Sequence, residues 1–313
     1  MTDSLNSPLV SVLMSCYREP IDQLKTAIGS ILLQSYSNLE LILVLDDPSN
    51  IYAKQCLEAV ASKDDRVRLI YNEKNLGLVG SLNEALVFAS GDYICRMDAD
   101  DVSEPERIET QLEYLTAGGF DLVGSYMTVI DDSGQTMYQV TTIPTKLKAI
   151  KHALKYNNCV PHPSWFGRRE VFEDGYRPIP LCEDYDFLVR AVLNGFKLGN
   201  CPACLVDYRM SANSLSRSNL YKQYLYQKQL TKAFKKKRIC DPQQAALRVE
   251  KDFTEDKAAS YSEANELFND GLQLLSANHY IEGIRSVLVA WCVSPPYFFK
   301  VLRLVIAAAD SIF

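Results

Sequence analysis

Tyr93-Ile94-Cys95-Arg96-Met97-Asp98-Ala99-Asp100-Asp101 is a short β-prone run that delivers three carboxylates to its C-terminal end. So much negative charge at a strand tip repels itself unless a cation joins it. Hard oxygen ligands of this kind suit Mg²⁺ or Mn²⁺, ions that usually arrive with substrate phosphates. A polar loop or a helix cap would also use Asp, so the weight of the run depends on its surroundings.

Working outward, the preceding ninety or so residues alternate strands with helices. Leu9 to Met14 is apolar nearly throughout, as buried parallel strands are. A helix is expected from about Ile21 to Gln34, with Leu24, Ala27, Ile28, Ile31 and Leu32 on one face. Strands are expected at Leu39 to Leu45 and Val67 to Tyr71, separated by a helix from Ile51 to Ser62. Asn75-Leu76-Gly77-Leu78-Val79-Gly80-Ser81 turns into a helix that runs to Ala89. The result is a β-α-β-α-β-α-β series, whose crossover lengths imply a mostly parallel sheet flanked by helices. Ligands of such sheets bind beyond the carboxyl ends of the strands. Three of those ends are polar here: Ser15-Cys16-Tyr17, Asp46-Asp47 and the acidic run.

Chain-wide properties narrow the classes. With 313 residues, 47% hydrophobic and 23% charged, the chain suits one large α/β domain plus a smaller appendage. A net charge of −6 argues against nucleic acid as a general partner. The polar N-terminus, Met1 to Pro8, carries no secretory pattern, and no apolar run is long enough for a transmembrane helix. Nine scattered cysteines read as reduced thiols of a cytoplasmic protein. Cys201-Pro202-Ala203-Cys204 lacks the further ligands that zinc needs.

The polar strand ends fit a nucleotide. Tyr17 offers a platform for a base, and Asp47 an acceptor for the imide N–H of uracil. Asp98 suits a ribose or a metal, and Asp100 a metal that bridges a diphosphate, whose charge a carboxylate-lined cleft would otherwise repel. Gly77 and Gly80 would admit a close backbone approach, and Asn83 could bond across the cleft. No Gly-x-Gly-x-x-Gly or Walker sequence is present, which disfavours hydride transfer with a dinucleotide and P-loop chemistry.

In combination these segments resemble an inverting glycosyltransferase of family 2, with the GT-A nucleotide-diphospho-sugar transferase fold. The likeness is carried by Val10 to Tyr17, Ser30 to Tyr36, Leu45-Asp46-Asp47-Pro48-Ser49, Asn75-Leu76-Gly77-Leu78, and the Asp98-Ala99-Asp100-Asp101 tip with Pro105 and Arg107. His162-Pro163-Ser164 and Cys182-Glu183-Asp184-Tyr185-Asp186 match the acceptor-side segments. It implies Ser15, Tyr17, Asp47, Asn75, Asp98 and Arg209 as nucleotide contacts, Asp98 and Asp100 as ligands of Mn²⁺ or Mg²⁺, and His162 and Glu183 beside the acceptor. It also implies Asp184 as the catalytic base. Independently, Glu183-Asp184 opens a helix with Phe187, Leu188, Ala191 and Val192 on its apolar side, where the dipole favours charged carboxylates. Simple helix capping would read the same way. Relatives commonly carry a histidine where this chain has Ser211, and the Gln-x-x-Arg-Trp signature of processive relatives is missing, so one sugar per encounter is expected.

The likeness covers about residues 8 to 217 and leaves a helical region over 218–313. Helices are expected over about 220–238, 242–249, 257–277 and 281–292, with a last one after Pro295-Pro296. Ala264, Leu267, Phe268, Gly271 and Leu272, then Tyr280, Ile284 and Ala290, suggest one helical hairpin of tetratricopeptide type. A basic cluster (Lys228, Lys232, Lys235, Lys236, Lys237, Arg238) and a stripe of Phe298, Val301, Leu302, Val305 and Ile306 beside Lys300 and Arg303 suit an anionic membrane surface. A solvated helix face and internal packing would account for the same residues. The sequence therefore reads as a metal-dependent transferase that uses a nucleotide-diphosphate sugar, UDP-linked, and a glycan or polyprenyl-diphosphate-linked acceptor. Its setting would be surface-polysaccharide synthesis, in the cytoplasm or peripherally at the inner face of the plasma membrane. Two other readings are a catalytically lapsed GT-A domain that binds a nucleotide or protein as a regulator, and a sugar nucleotidyltransferase.

Overall fold

A computed structural model of the chain describes residues 7–210 and 219–312, with side chains described to Val305 apart from residue 304. Ser211 and Ile306, both singled out above, lie outside these described parts. The chain divides into two compact units. One comprises Met1–Ile150, Asn158–Pro178 and Arg190–Ser211; the other comprises Lys151–Asn157, Ile179–Val189 and Ala212–Phe313.

The first unit holds the nine strands found among the described residues. Parallel pairing of β1 (Val10–Cys16) with β2 (Leu39–Leu45) and β4 (Tyr93–Asp98), and of β2 with β3 (Val67–Tyr71), forms the expected series. The intervening helices are α1 (Ile21–Leu32), α2 (Ile51–Ala61) and α3 (Gly77–Phe88). Its apolar runs are buried because β1 lies between two neighbours under Leu24, Ala27, Ile28 and Ile31 of α1. Register aligns Ser15 with Asp98 on one side and Val44 on the other, so the polar strand ends share one edge.

Beyond β4 the sheet becomes mixed, in the order β3-β2-β1-β4-β8-β6-β9-β5. The added strands are β5 (Val102–Ser103), β6 (Leu122–Ile130), β7 (Thr136–Val140), β8 (Phe166–Arg168) and β9 (Leu198–Arg209). Of their pairings only β6 with β9 is parallel. Helix α4 (Arg107–Gly118) follows β5, and the short α5 (Leu147–Ala153) follows β7.

Several helix ends differ by one to three residues from the sequence expectation, and at two of them a side chain is used elsewhere. Gln34 lies beyond α1: its amide donates to Glu104 O at 2.7 Å, and its carbonyl accepts from Ile108 N. Helix α3 begins at Gly77, which takes a left-handed φ of 71°, because the Asp46 carboxylate accepts from the amides of Leu76 and Gly77. Gly80 serves packing within α3, since a Cβ there would sit 2.5 Å from Leu76 Cβ.

Among the described residues, the second unit contains the start of α6 (Glu183–Leu193) and five further helices: α7 (Leu220–Lys235), α8 (Pro242–Asp252), α9 (Glu255–Ser276), α10 (Tyr280–Val293) and α11 (Pro295–Ile312). Asp241 caps α8 through Gln244 N, and Thr254 caps α9 through Lys257 N, which starts α9 two residues early. Helices α9 and α10 form the expected hairpin. Their backbones approach closely at Gly271, where a Cβ would lie 3.0 Å from Gly283 O. Among the described residues no helix is long and apolar enough to cross a membrane.

Candidate functional site

The site is built from three strand ends. After β1, the Tyr17 amide donates to the Glu19 carboxylate at 2.7 Å, and the Tyr17 carbonyl accepts from Asn50 Nδ2. The Arg18 guanidinium carbon lies 4.8 Å from the Tyr17 ring centroid. After β2, Asp47 accepts from the Ser49 hydroxyl at 2.6 Å and from Arg18 Nε at 2.8 Å, and both hold its carboxyl below the usual range. Asp47 is therefore ionised and able to accept only. Its neighbour Asp46, absent from the sequence-derived set, is the buried clamp that fixes the turn at Leu76 and Gly77. Asn75 stands exposed in that turn and accepts from Gly77 N.

After β4, oxygen atoms of Asp98, Asp100 and Asp101 all lie within 4.8 Å of one another. Burial, with the neighbouring charges of Asp98 and Glu19, pushes Asp100 up to about 6. Asp101 is raised well above the carboxylate range by complete burial and by the other two aspartates. One of its oxygens accepts from Arg209 N at 2.7 Å; the other is buried without a partner among the described residues. A carboxylate oxygen left over in a cluster of mutually repelling carboxylates fits a hard divalent cation. Asp98 and Asp100 are the groups that would hold it, with Asp101 behind them.

Arg96 balances part of this charge. Both its terminal nitrogens pair with the two oxygens of Asp98, although its side chain is only 3% exposed. The two residues are i and i+2 on β4, on one face of the strand. Its backbone is held as well: Arg96 N donates to Trp165 O, and Arg96 O accepts from the buried Arg107 at 2.7 Å. Arg107 also reaches Pro163 O and Gln111, and Gln111 holds Ser164 O. The motif residue Arg107 thus ties β4 to the His162-Pro163-Ser164 turn. Glu19 and Arg96 escaped sequence reasoning, though strand alternation could have flagged Arg96; Asp46 is read there only as part of a polar strand end, without its clamping role.

Other expected residues are placed as follows. Arg209 is 7% exposed, and its guanidinium donates to the carbonyls of Asp100, Asp131 and Asp132. It braces the acidic loop through backbone oxygens. His162 is buried, with Nε2 2.9 Å from the Tyr176 hydroxyl and its ring edge-on to Trp165. Burial and the nearby Arg96 cation push it well below the usual histidine range, so it is neutral. Asn83 does not bond across the cleft as expected. Its amide donates to Tyr176 O and accepts from Tyr176 N, a closed pair of bonds that locks residues 175–176 instead. Glu183 and Asp184 are half-buried in the first turn of α6, within the second unit, and Asp184 accepts from Tyr185 N.

The sequence profile described as glycosyl transferase family 2 matches residues 11–176, which include all three strand ends. The chain belongs to glycosyl transferase family 2. Over 246 residues it is 34% identical to an uncharacterized glycosyltransferase of Methanocaldococcus jannaschii, covering 77% of this chain and 85% of that one. Over 217 residues it is 31% identical to the O-antigen biosynthesis glycosyltransferase WbnJ of Escherichia coli, covering 68% and 84%. The crystal structure of S. aureus TarS 1–349 superposes with a TM-score of 0.58 at 14% identity, covering 96% of this glycosyltransferase and 89% of TarS. At that identity the likeness speaks for the fold, including the C-terminal helices.

Proposed function

We propose that this glycosyltransferase moves a sugar from a UDP-linked donor to a hydroxyl of a glycan or polyprenyl-diphosphate-linked acceptor, with inversion and with dependence on Mn²⁺ or Mg²⁺. The observation that carries the reading is the acidic cluster at the shared strand edge, with an orphaned Asp101 oxygen, beside Tyr17 and an ionised Asp47. Tyr17, held by Glu19 and Asn50, presents a ring to the base, and Asp47 accepts from its imide N–H. Ser15 and Asn75 border the same edge. A bound divalent cation would neutralise the leaving diphosphate.

Asp184 takes the proton of the acceptor hydroxyl as its oxygen bonds to the anomeric carbon. The bond from that carbon to the diphosphate oxygen breaks on the opposite face, so a single displacement suffices. Glu183 and His162 are assigned to the acceptor side, His162 through the packing of its turn. Transfer is assigned to residues 8–217, and 218–313 form the helical appendage. Synthesis of a surface polysaccharide at the inner face of a membrane is the setting we favour, since WbnJ is named for O-antigen biosynthesis.

Calorimetric titration with UDP and GDP, with and without Mn²⁺, tests the proposal. Manganese-strengthened binding of UDP is the expected result. A folded sample that binds neither nucleotide would overturn it in favour of a lapsed domain.

A further inference from the structure

Among its described residues, the second unit carries cations that form no ion pair. Lys300 and Arg303 stand one turn apart on α11 and reach over tyrosine rings. Lys300 Nζ is 5.3 Å from the Tyr297 centroid and 5.9 Å from that of Tyr261, and Arg303 Cζ is 5.1 Å from that of Tyr224. These rings are contiguous: Tyr224 to Tyr261 is 5.4 Å and Tyr261 to Tyr297 is 5.2 Å. Lys235, the last residue of α7, lies 4.6 Å from the Tyr156 ring, next in sequence to Lys155.

Among the described residues, none of these four cations takes part in an ion pair. Lys300 is half-buried, and burial followed by the Arg303 charge lowers its amine. Lys235 is lowered by burial and then by Arg303 and Lys155, with no carboxylate opposing. The Tyr261 hydroxyl is buried in the same aromatic cluster without a partner among the described residues. Partly desolvated cations are ordinarily paired with anions; here tyrosine rings offset them, with the Phe299 carbonyl accepting from Arg303 Nε at 3.3 Å, in a chain of net charge −6.

The same helix shows apolar side chains to solvent. Phe299, Leu302 and Val305 are 55%, 40% and 59% exposed at three-residue spacing, and they border Lys300 and Arg303 around α11. Of the expected stripe, Leu302 and Val305 are exposed, whereas Phe298 and Val301 are half-buried and Phe299 faces solvent; Lys300 and Arg303, expected alongside the stripe, lie over the tyrosines. A phosphate between the cations and hydrocarbon against the apolar side chains would satisfy both halves of the face.

We propose that this face of α11, with Lys235 and Lys155, seats the phosphate headgroup of an anionic membrane lipid and docks the protein on a bilayer. Charge complementarity selects that occupant: an acidic protein is repelled by an anionic surface except where its cations are uncompensated. The inference deepens the membrane part of the proposed function and rests on none of the transfer chemistry.

The test is co-sedimentation of the full chain with phosphatidylcholine vesicles, with and without phosphatidylglycerol. Binding is expected only when phosphatidylglycerol is present. Lys300→Gln with Arg303→Gln, and separately the exposed pair Lys155→Gln with Lys235→Gln, should each weaken it roughly 30-fold, at about one polybasic contact per cation. Leu302→Ser should weaken it while leaving UDP binding unchanged. Equal binding to both vesicle types, or none, overturns the proposal. So does calorimetric binding of inorganic pyrophosphate without vesicle binding, which would assign the cations to a free phosphate. Self-association lost in Leu302→Ser, again without vesicle binding, would assign the face to a second copy. In none of these outcomes is the UDP titration affected, so the two readings fail separately.

Discussion

Replacing Arg96 with Met would remove the cation that pairs with Asp98 while keeping much of its volume. Breaking a buried ion pair by deleting one partner typically costs about 3–5 kcal/mol, because the other charge is left behind. Two features place this case near the lower end. The Asp98 side chain is 27% exposed and can recover some hydration, and Arg96 Nε is already buried without a partner. Arg96→Met should therefore cost about 3 kcal/mol in urea unfolding. Most of that loss is uncompensated charge, so adding Asp98→Asn should restore stability; an Arg96→Met/Asp98→Asn protein no more stable than Arg96→Met would refute the argument. The same logic has a second readout. Mn²⁺ should raise the unfolding temperature of Arg96→Met more than that of the parent, because the cation then replaces the missing guanidinium.

Asp184→Asn should abolish sugar transfer while leaving UDP titration unchanged; loss of both together would remove Asp184 as the base. Asp100→Asn should weaken UDP binding with Mn²⁺ and have little effect without it, and a mutant equal to the parent in Mn²⁺ would take Asp100 out of the metal set. His162 is buried neutral with a lowered pKa, so the unfolded chain binds its proton first as pH falls below about 6.5. Stability is therefore lost on acidification, by up to about 1.4 kcal/mol per pH unit from this group. The raised Asp100 and Asp101 work in the opposite direction, since their folded forms hold protons more tightly. The informative quantity is the difference between parent and His162→Gln: their urea stabilities should converge as pH drops from 7 to 5, and a constant gap would refute the assignment.

Much of the fold is legible because it rests on local periodicity. The apolar runs of β2 and β3 are read from sequence at their observed ends, and the alternation with helices dictates the parallel half of the sheet. The later strands carry weaker signals. Segments such as Phe166–Arg168 are too short for a period, and their mixed pairing is set by neighbours distant in sequence. In the second unit, apolar and small residues at helical spacing mark the hairpin, although the close approach of Gly271 and Gly283 becomes visible only once the helices meet.

For the site, sequence alone determined which carboxylates gather, because parallel strands all deliver their C-terminal ends to one edge. What tertiary structure decided is what each polar group is free to do. Arg209 is taken up by three backbone carbonyls, Asn83 by Tyr176, and Asp46 by the turn at Gly77. Arg96 lies beneath Asp98, and Lys300 and Arg303 lie half-buried over tyrosines. Spacing in a sequence places a functional group on an element. Only the packed chain determines which donors and acceptors consume it, because a buried polar group must be satisfied by whatever the fold brings within hydrogen-bond reach.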